Sequence, residues 1–273
     1  MKITVLIDNK EDNNCKSEWG LSFLIEYNNH IFLLDTGSSN AFINNAKELG
    51  IDLKTVEYGI LSHAHYDHSD GMDAFFNLNN EASFYLQKSS KENCYSKKIF
   101  SKKYIGIKKG VLSSYNNRII YVDNIYQICE GVKLIGHSSQ NLDKIGIKEH
   151  MFLKTDYGYI PDNFDHEQSL VFELSDGIII FNSCSHGGIK NIYSEIRKIY
   201  PDKKIIAYFG GLHLFNKKNV EIKELAKEII KLDIEKIYTG HCTGDEAFAL
   251  LKNELNDKID QFKCGSVYEF AKK

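Results

Sequence analysis

A chain of 273 residues with 42% hydrophobic and 26% charged residues has enough apolar material for a sizeable core, which excludes a disordered chain. Its formal charge of −3 gives no global attraction to nucleic acid or an anionic membrane, so any such attraction must be local. No stretch approaches the roughly 18 uncharged apolar residues of a membrane span, and MKITVLID is too short an apolar run for a secretory signal. A cytoplasmic chain forming one domain over residues 1–273 is expected. Cysteines 15, 94, 129, 184, 242 and 264 are scattered without a C-x-x-C pair, so they read as buried thiols in a reducing compartment rather than a disulfide framework.

In chain order, KITVLID (2–8), LSFLIEY (21–27) and HIFLLD (30–35) read as strands, with Asn28 and Asn29 as a hairpin turn between the last two. Residues 39–49 place Phe42, Ala46 and Leu49 at helical spacing and stop at Gly50. A strand near Tyr58–Leu61 then leads into SHAHYDHSDG. Between Lys88 and Arg118 the composition changes to eight lysines, one arginine and a single acid, Glu92, with few periodic apolar positions. This segment is expected to be a solvated insertion, or a lid that attracts an anionic substrate or an acidic protein partner.

The last third alternates again. LVFEL and GIIIFN form a predicted hairpin through SDG, followed by a helix with Ile189, Ile192, Ile196 and Ile199 on one face. The strand KIIAYF, an amphipathic helix with Ile222, Leu225, Ala226, Ile229 and Ile230 inward, and the strand KIYTG complete the pattern. Two β-rich halves, each with helices, predict a two-sheet sandwich covered by helices, of α/β (α+β) class.

His63-x-His65-x-Asp67-His68 puts four metal-ligand side chains into six residues. On an extended strand end His63 and His65 point the same way and can reach one ion. Asp67 and His68 follow where a turn can aim them at a second ion about 3.5–4 Å away, the separation usual in two-metal sites.

This run, preceded by LLDTG at 33–37, resembles the signature of the metallo-β-lactamase-fold superfamily. The resemblance implies an αββα sandwich with a metal site along one edge of the sheets. Further segments, SCSHGGIKN (183–191), GGLHLF (210–215) and TGHCTGDEA (239–247), resemble the subgroup of 7,8-dihydropterin-6-methyl-4-(β-D-ribofuranosyl)aminobenzene 5′-phosphate synthase-like proteins. By this resemblance His186 and His241 join His63, His65, Asp67 and His68 as metal ligands. Cys184 stands where many members carry a bridging aspartate, so its thiolate either ligates or leaves the bridge to water. Cys242 reads as packing.

Other positions stay open. His166-Glu167 replaces the subgroup's acidic pair, and His166, Glu167, Asp165 or none of them reaches the metal. His213, after Gly210 and Gly211, lines a substrate pocket or only bonds to backbone. Asp35 is expected to accept the outer ring N–H of a metal-bound histidine. His30, His137 and His150 have no motif context.

Mixed imidazole and carboxylate ligands suit two divalent transition-metal ions, zinc first, with manganese or iron as alternatives. The expected function is hydrolysis by a metal-activated water of a small, phosphorylated or pterin-like anionic substrate, with Asp67 orienting that water or taking its proton. Rival readings are a metal-bearing module that docks an acidic partner, a nuclease tracking phosphates with its lysines, and a di-iron redox protein, whose flavin domain this sequence lacks. Nucleic acid and membrane are not expected partners.

Overall fold

Asn28 and Asn29 both adopt positive φ, 49° and 66°, as a type I′ turn requires. They join strands Ser22–Tyr27 and His30–Leu34 with Tyr27 opposite His30, as the sequence predicts. The structure is a computed structural model and describes residues 1–12, 14–98 and 101–271. It divides the chain into two units. The first gathers Met1–Asp123, Ser139–Glu167 and Lys263–Phe270, and the second is built on Asn124–Ser138 and Gln168–Phe262.

The first unit carries a seven-stranded sheet in the order Val267–Glu269, Lys2–Ile7, Ser22–Tyr27, His30–Leu34, Tyr58–Ile60, Ser83–Gln87, Ile119–Val122. Pairing is antiparallel as far as His30–Leu34 and parallel beyond it. Parallel neighbours finish on the same edge of a sheet. Asp35, just after one strand, and the histidine run, just after the next, are therefore delivered together. Helix Ala41–Glu48 buries Phe42 and Ala46, and helix Met72–Leu78 buries Met72, Phe75 and Phe76. These pack with Leu33, Leu61, Phe84 and Leu86 into one core.

The lysine-rich segment is more ordered than its composition suggests. Strands Cys94–Lys97 and Lys102–Tyr104 pair with each other and, through Cys94–Lys97, with Met151–Thr155 and then Gly158–Pro161 in a four-stranded antiparallel sheet. Its stabilising partner lies some fifty residues away in sequence, so local periodicity gives no sign of it. Residues 99 and 100 fall outside the described residues.

The second unit's sheet has seven strands in the order Ile259–Gln261, Ile234–Thr239, Ile205–Phe209, Gly177–Phe181, Gln168–Leu174, Val132–Gly136, Ile125–Cys129. The first four are parallel and the rest antiparallel. Helices Ile189–Ile199, Asn219–Lys231 and Asp245–Leu255 make the crossovers that parallel strands need. They bury Ile192, Ile196, Ile222, Ala226, Ile229, Leu251 and Leu255 against Ile180, Ile205 and Ile237. The turns at 182–188, 210–215 and 240–244 thus leave one edge of this sheet. No helix among the described residues is long and apolar enough to cross a membrane.

Phe84 is fully buried, with the rings of Phe75 and Phe76 each centred 5.4 Å away. Phe84→Ala is expected to destabilise the chain by about 3–5 kcal/mol, read as a lower denaturation midpoint at unchanged slope. A loss below about 1 kcal/mol would show that this cluster can collapse around the void.

Candidate metal centre

In the first unit the chemistry begins with Asp35. Its backbone takes the left-handed conformation, φ 61°, which an aspartate tolerates better than most residues, and its carboxylate is fully buried. Asp35 Oδ1 accepts the Ser62 N–H at 2.7 Å, and Oδ2 accepts the Ser62 hydroxyl at 2.7 Å and the His68 Nδ1–H at 2.8 Å. Ser62 Oγ also lies 2.8 Å from His63 Nδ1. A hydroxyl has one proton, and Ser62 gives it to the carboxylate, so His63 Nδ1 must be the donor in the second contact. One carboxylate therefore fixes two imidazoles, His68 directly and His63 through Ser62, with the ring proton on Nδ1 and the lone pair on Nε2 of each.

His65 is extended and buried, and burial, followed by the neighbouring His166, pushes its pKa down to about 3. It is a neutral imidazole across the physiological range. The rings of His63 and His65 are centred 4.6 Å apart, and those of His63 and His68 4.2 Å apart. Asp67 and His68 follow in the short helix Tyr66–Ser69. Asp67 Oδ2 lies 3.9 Å from His68 Nε2 and accepts the Trp19 indole N–H at 2.9 Å. The histidine run is also tied to the lysine-rich hairpin, because Tyr66 N–H donates to Ile105 O at 2.9 Å and His65 bridges Gly106.

His166 approaches the same loop. Its Nδ1 accepts the Ala64 N–H at 3.2 Å, which places the ring proton on Nε2, 3.1 Å from Asp162 Oδ2. Cys94 Sγ stands 3.7 Å from that nitrogen. Donor atoms of His65, Cys94, Asp162 and His166 all lie within 4.8 Å of one another. Glu167 is buried, with its N–H on Phe164 O, and Asp165 is exposed.

In the second unit Cys184 and His186 occupy the turn after Gly177–Phe181, His213 follows Ile205–Phe209, and His241 and Cys242 follow Ile234–Thr239. Cys184, His186 and His213 form one group with donor atoms within 4.8 Å of each other, and Cys184, His241 and Cys242 form another. The His186 and His213 rings are centred 4.3 Å apart. Ser185, His213 and His241 all have positive φ, 54°, 50° and 46°, a sparsely populated region for such residues. Imidazole, carboxylate and thiol donors at these spacings fit a divalent transition metal in each unit.

Sequence reading singled out neither Ser62 nor Trp19 nor the Asp162–Cys94 pair, and it assigned Cys242 to packing. The available signals were that Ser62 directly precedes His63 and that Trp19 is the chain's single tryptophan. His30 and His137 pair instead with Glu57 at 2.8 Å and Glu195 at 2.9 Å.

The chain belongs to the metallo-β-lactamase superfamily, whose family model matches residues 20–181. The crystal structure of Tm1679, described as a metal-dependent hydrolase of the beta-lactamase superfamily, matches it at 30% identity and TM-score 0.85 over 99% of both chains. The 7,8-dihydropterin-6-methyl-4-(beta-D-ribofuranosyl)-aminobenzene-5′-phosphate synthase of Methanocaldococcus jannaschii is 28% identical, over 93% of this chain and 90% of its own. Zn2+-bound PqqB from Methylobacterium extorquens, at 10% identity and TM-score 0.57 over 99% of this chain and 100% of its own, shares the fold alone. The expected α/β fold class is thereby established. Superfamily members bind divalent metals and are mostly hydrolases, whereas the methanogen relative is a synthase by name.

Asp35→Asn keeps the side-chain shape but weakens the anchor of two imidazoles, and is expected to lower metal affinity about 10–100-fold, measured by competition with a chelator. Trp19 is 41% exposed and bonds Asp67, so a metal ion drawing on that carboxylate is expected to change the protein's only indole emission. A metal titration that leaves emission flat would separate Trp19 from the metal.

Proposed function

We propose that this protein is a metal-dependent hydrolase acting on a small anionic substrate, phosphorylated or pterin-like, in the cytoplasm. The observation that carries the reading is the buried Asp35–Ser62 network, which presents Nε2 of both His63 and His68 as ligand atoms. An ordinary surface turn would not bury a carboxylate to orient two imidazoles. His63, His65, Asp67 and His68 in the first unit, and His186 and His241 in the second, are the residues proposed as ligands of divalent ions. Zinc is the first choice, and manganese or iron the alternatives.

When bound, such ions supply a water of lowered pKa and a Lewis acid for developing negative charge. The chain's own residues do the rest. Asp67, whose Oδ2 accepts the Trp19 indole N–H, would orient the attacking water or take its proton. Asp35 and Ser62 hold the imidazoles in one tautomer. Exposed lysines 97, 98, 102 and 103 sit on the hairpin bonded to Tyr66, next to Asp67 in sequence. That attachment favours attraction of an anionic substrate over docking of an acidic protein, the second reading. The substrate class is supported by the methanogen relative, whose printed name carries a pterin and a 5′-phosphate. All six cysteines are free thiols, in keeping with a reducing compartment.

The test is metal analysis of the purified protein with a panel of phosphoester and lactone substrates, repeated on His65→Ala. Bound transition metal, turnover in the wild type and its loss in the variant are the expected results. Unchanged turnover in His65→Ala would sink the mechanism. For a phosphorylated substrate KM is expected to rise between low and about 0.5 M salt, where charges are screened within a few ångströms, with kcat little changed.

A further inference from the structure

We propose that Cys242 is a metal ligand, and that with Cys184 and His241 it gives the second unit a ligand set carrying two thiolates, suited to zinc over manganese or magnesium. The inference deepens the metal-binding reading above and rests on it.

Three features of the second unit converge on this assignment. The sulfurs of Cys184 and Cys242 and a ring nitrogen of His241 all lie within 4.8 Å of one another. Zinc binds thiolate at about 2.3 Å and imidazole at about 2.0–2.1 Å, so two thiolates on one ion stand at most about 4.6 Å apart and about 3.8 Å apart in a tetrahedron. The side chains thus stand close to the spacing one ion demands.

The sheet explains how two cysteines 58 positions apart in sequence come together. Cys184 follows Gly177–Phe181, and Cys242 follows Ile234–Thr239; strand Ile205–Phe209 runs between them. That middle strand ends in Gly210-Gly211. A Cβ on Gly211 would lie 2.4 Å from Cys242 Sγ and 3.1 Å from Ser183 O. The glycine leaves room for the Cys242 sulfur, and Gly211 N–H ties that point to Ser183 O, next to Cys184 in sequence, at 2.8 Å.

Burial and backbone point the same way. Cys184 and Cys242 are 2% and 1% exposed, and the hydrogen bond from Cys242 Sγ to Cys184 O is long, at 3.7 Å, as weak thiol donors make. Residues beside both cysteines, Ser185 and His241, hold left-handed backbone. Packing alone would not require strain of about 1–3 kcal/mol at each such residue. Thiolate ligands select zinc and other thiophilic ions over the oxygen-preferring manganese and magnesium.

X-ray absorption at the zinc edge on the full-length zinc-loaded protein tests the assignment by counting sulfur neighbours at about 2.3 Å. The signal averages over all bound zinc, so two zinc–sulfur bonds per chain (one sulfur per zinc when two ions are bound) are expected in the wild type, falling to one bond per chain in Cys242→Ser and in Cys184→Ser. A zinc–sulfur count that does not fall in Cys242→Ser, or zinc with nitrogen and oxygen neighbours only, would overturn the inference and leave the hydrolase reading standing. A wild type that binds no zinc or other transition metal would overturn both. The wild-type count alone decides the matter if a variant fails to fold.

Discussion

Complete burial of the Asp35 carboxylate is the constraint to which the first unit's histidine loop conforms. A buried charge is tolerated only when donors surround it, and here they are the Ser62 N–H, the Ser62 hydroxyl and the His68 ring. Meeting that demand pins residue 62 and residue 68 to the end of the neighbouring strand. His63 and His65 lie inside the pinned span, so their rings are gathered as a by-product. The parallel pairing of His30–Leu34 with Tyr58–Ile60 makes this possible, because it brings Asp35 and Ser62 to the same edge.

The second unit reaches a similar gathering of donors by other means. The Cys184–His186–His213 and Cys184–His241–Cys242 groups are built from imidazole and thiol donors, without a carboxylate. Space is made by leaving side chains out: a Cβ on Gly210 would meet Asn182 O at 1.8 Å, and one on Gly187 would meet the His137 ring at 2.3 Å. His137 is itself held by Glu195, which also accepts the Ser138 N–H at 2.8 Å. A buried histidine–carboxylate pair thus supports the turn that carries His186, from beneath rather than as part of the ligand group.

Most of the fold was legible because its signals are local. The Asn28-Asn29 turn, the isoleucine stripe of Ile189–Ile199 and the apolar runs at 178–181 and 205–209 each carry their period within a few residues. The histidine run was legible for the same reason, four donors in six positions. Trp19 lies 48 residues from the carboxylate it bonds, and Cys94 lies 72 from His166; no spacing rule connects them. The lysine-rich strands were read as loop because their partner, Met151–Thr155, is remote and supplies the pairing that their own pattern lacks. A buried thiol such as Cys242 and a ligand thiol have the same sequence signature until their neighbours are known.

The left-handed backbone at Ser185, His213 and His241 sets local stability against chemistry. Glycine would occupy each of these positions with no steric penalty, and would relax the turns in which they sit. At 213 and 241 it would also delete an imidazole donor. The sequence keeps the costlier residue at these strand ends, where His213 and His241 join groups of donor atoms, and places glycine at 210, 211 and 244, where only space or a turn is needed. These turns should therefore resist ordinary stabilising substitution, since whatever made the polypeptide easier to fold there would leave it with less to coordinate.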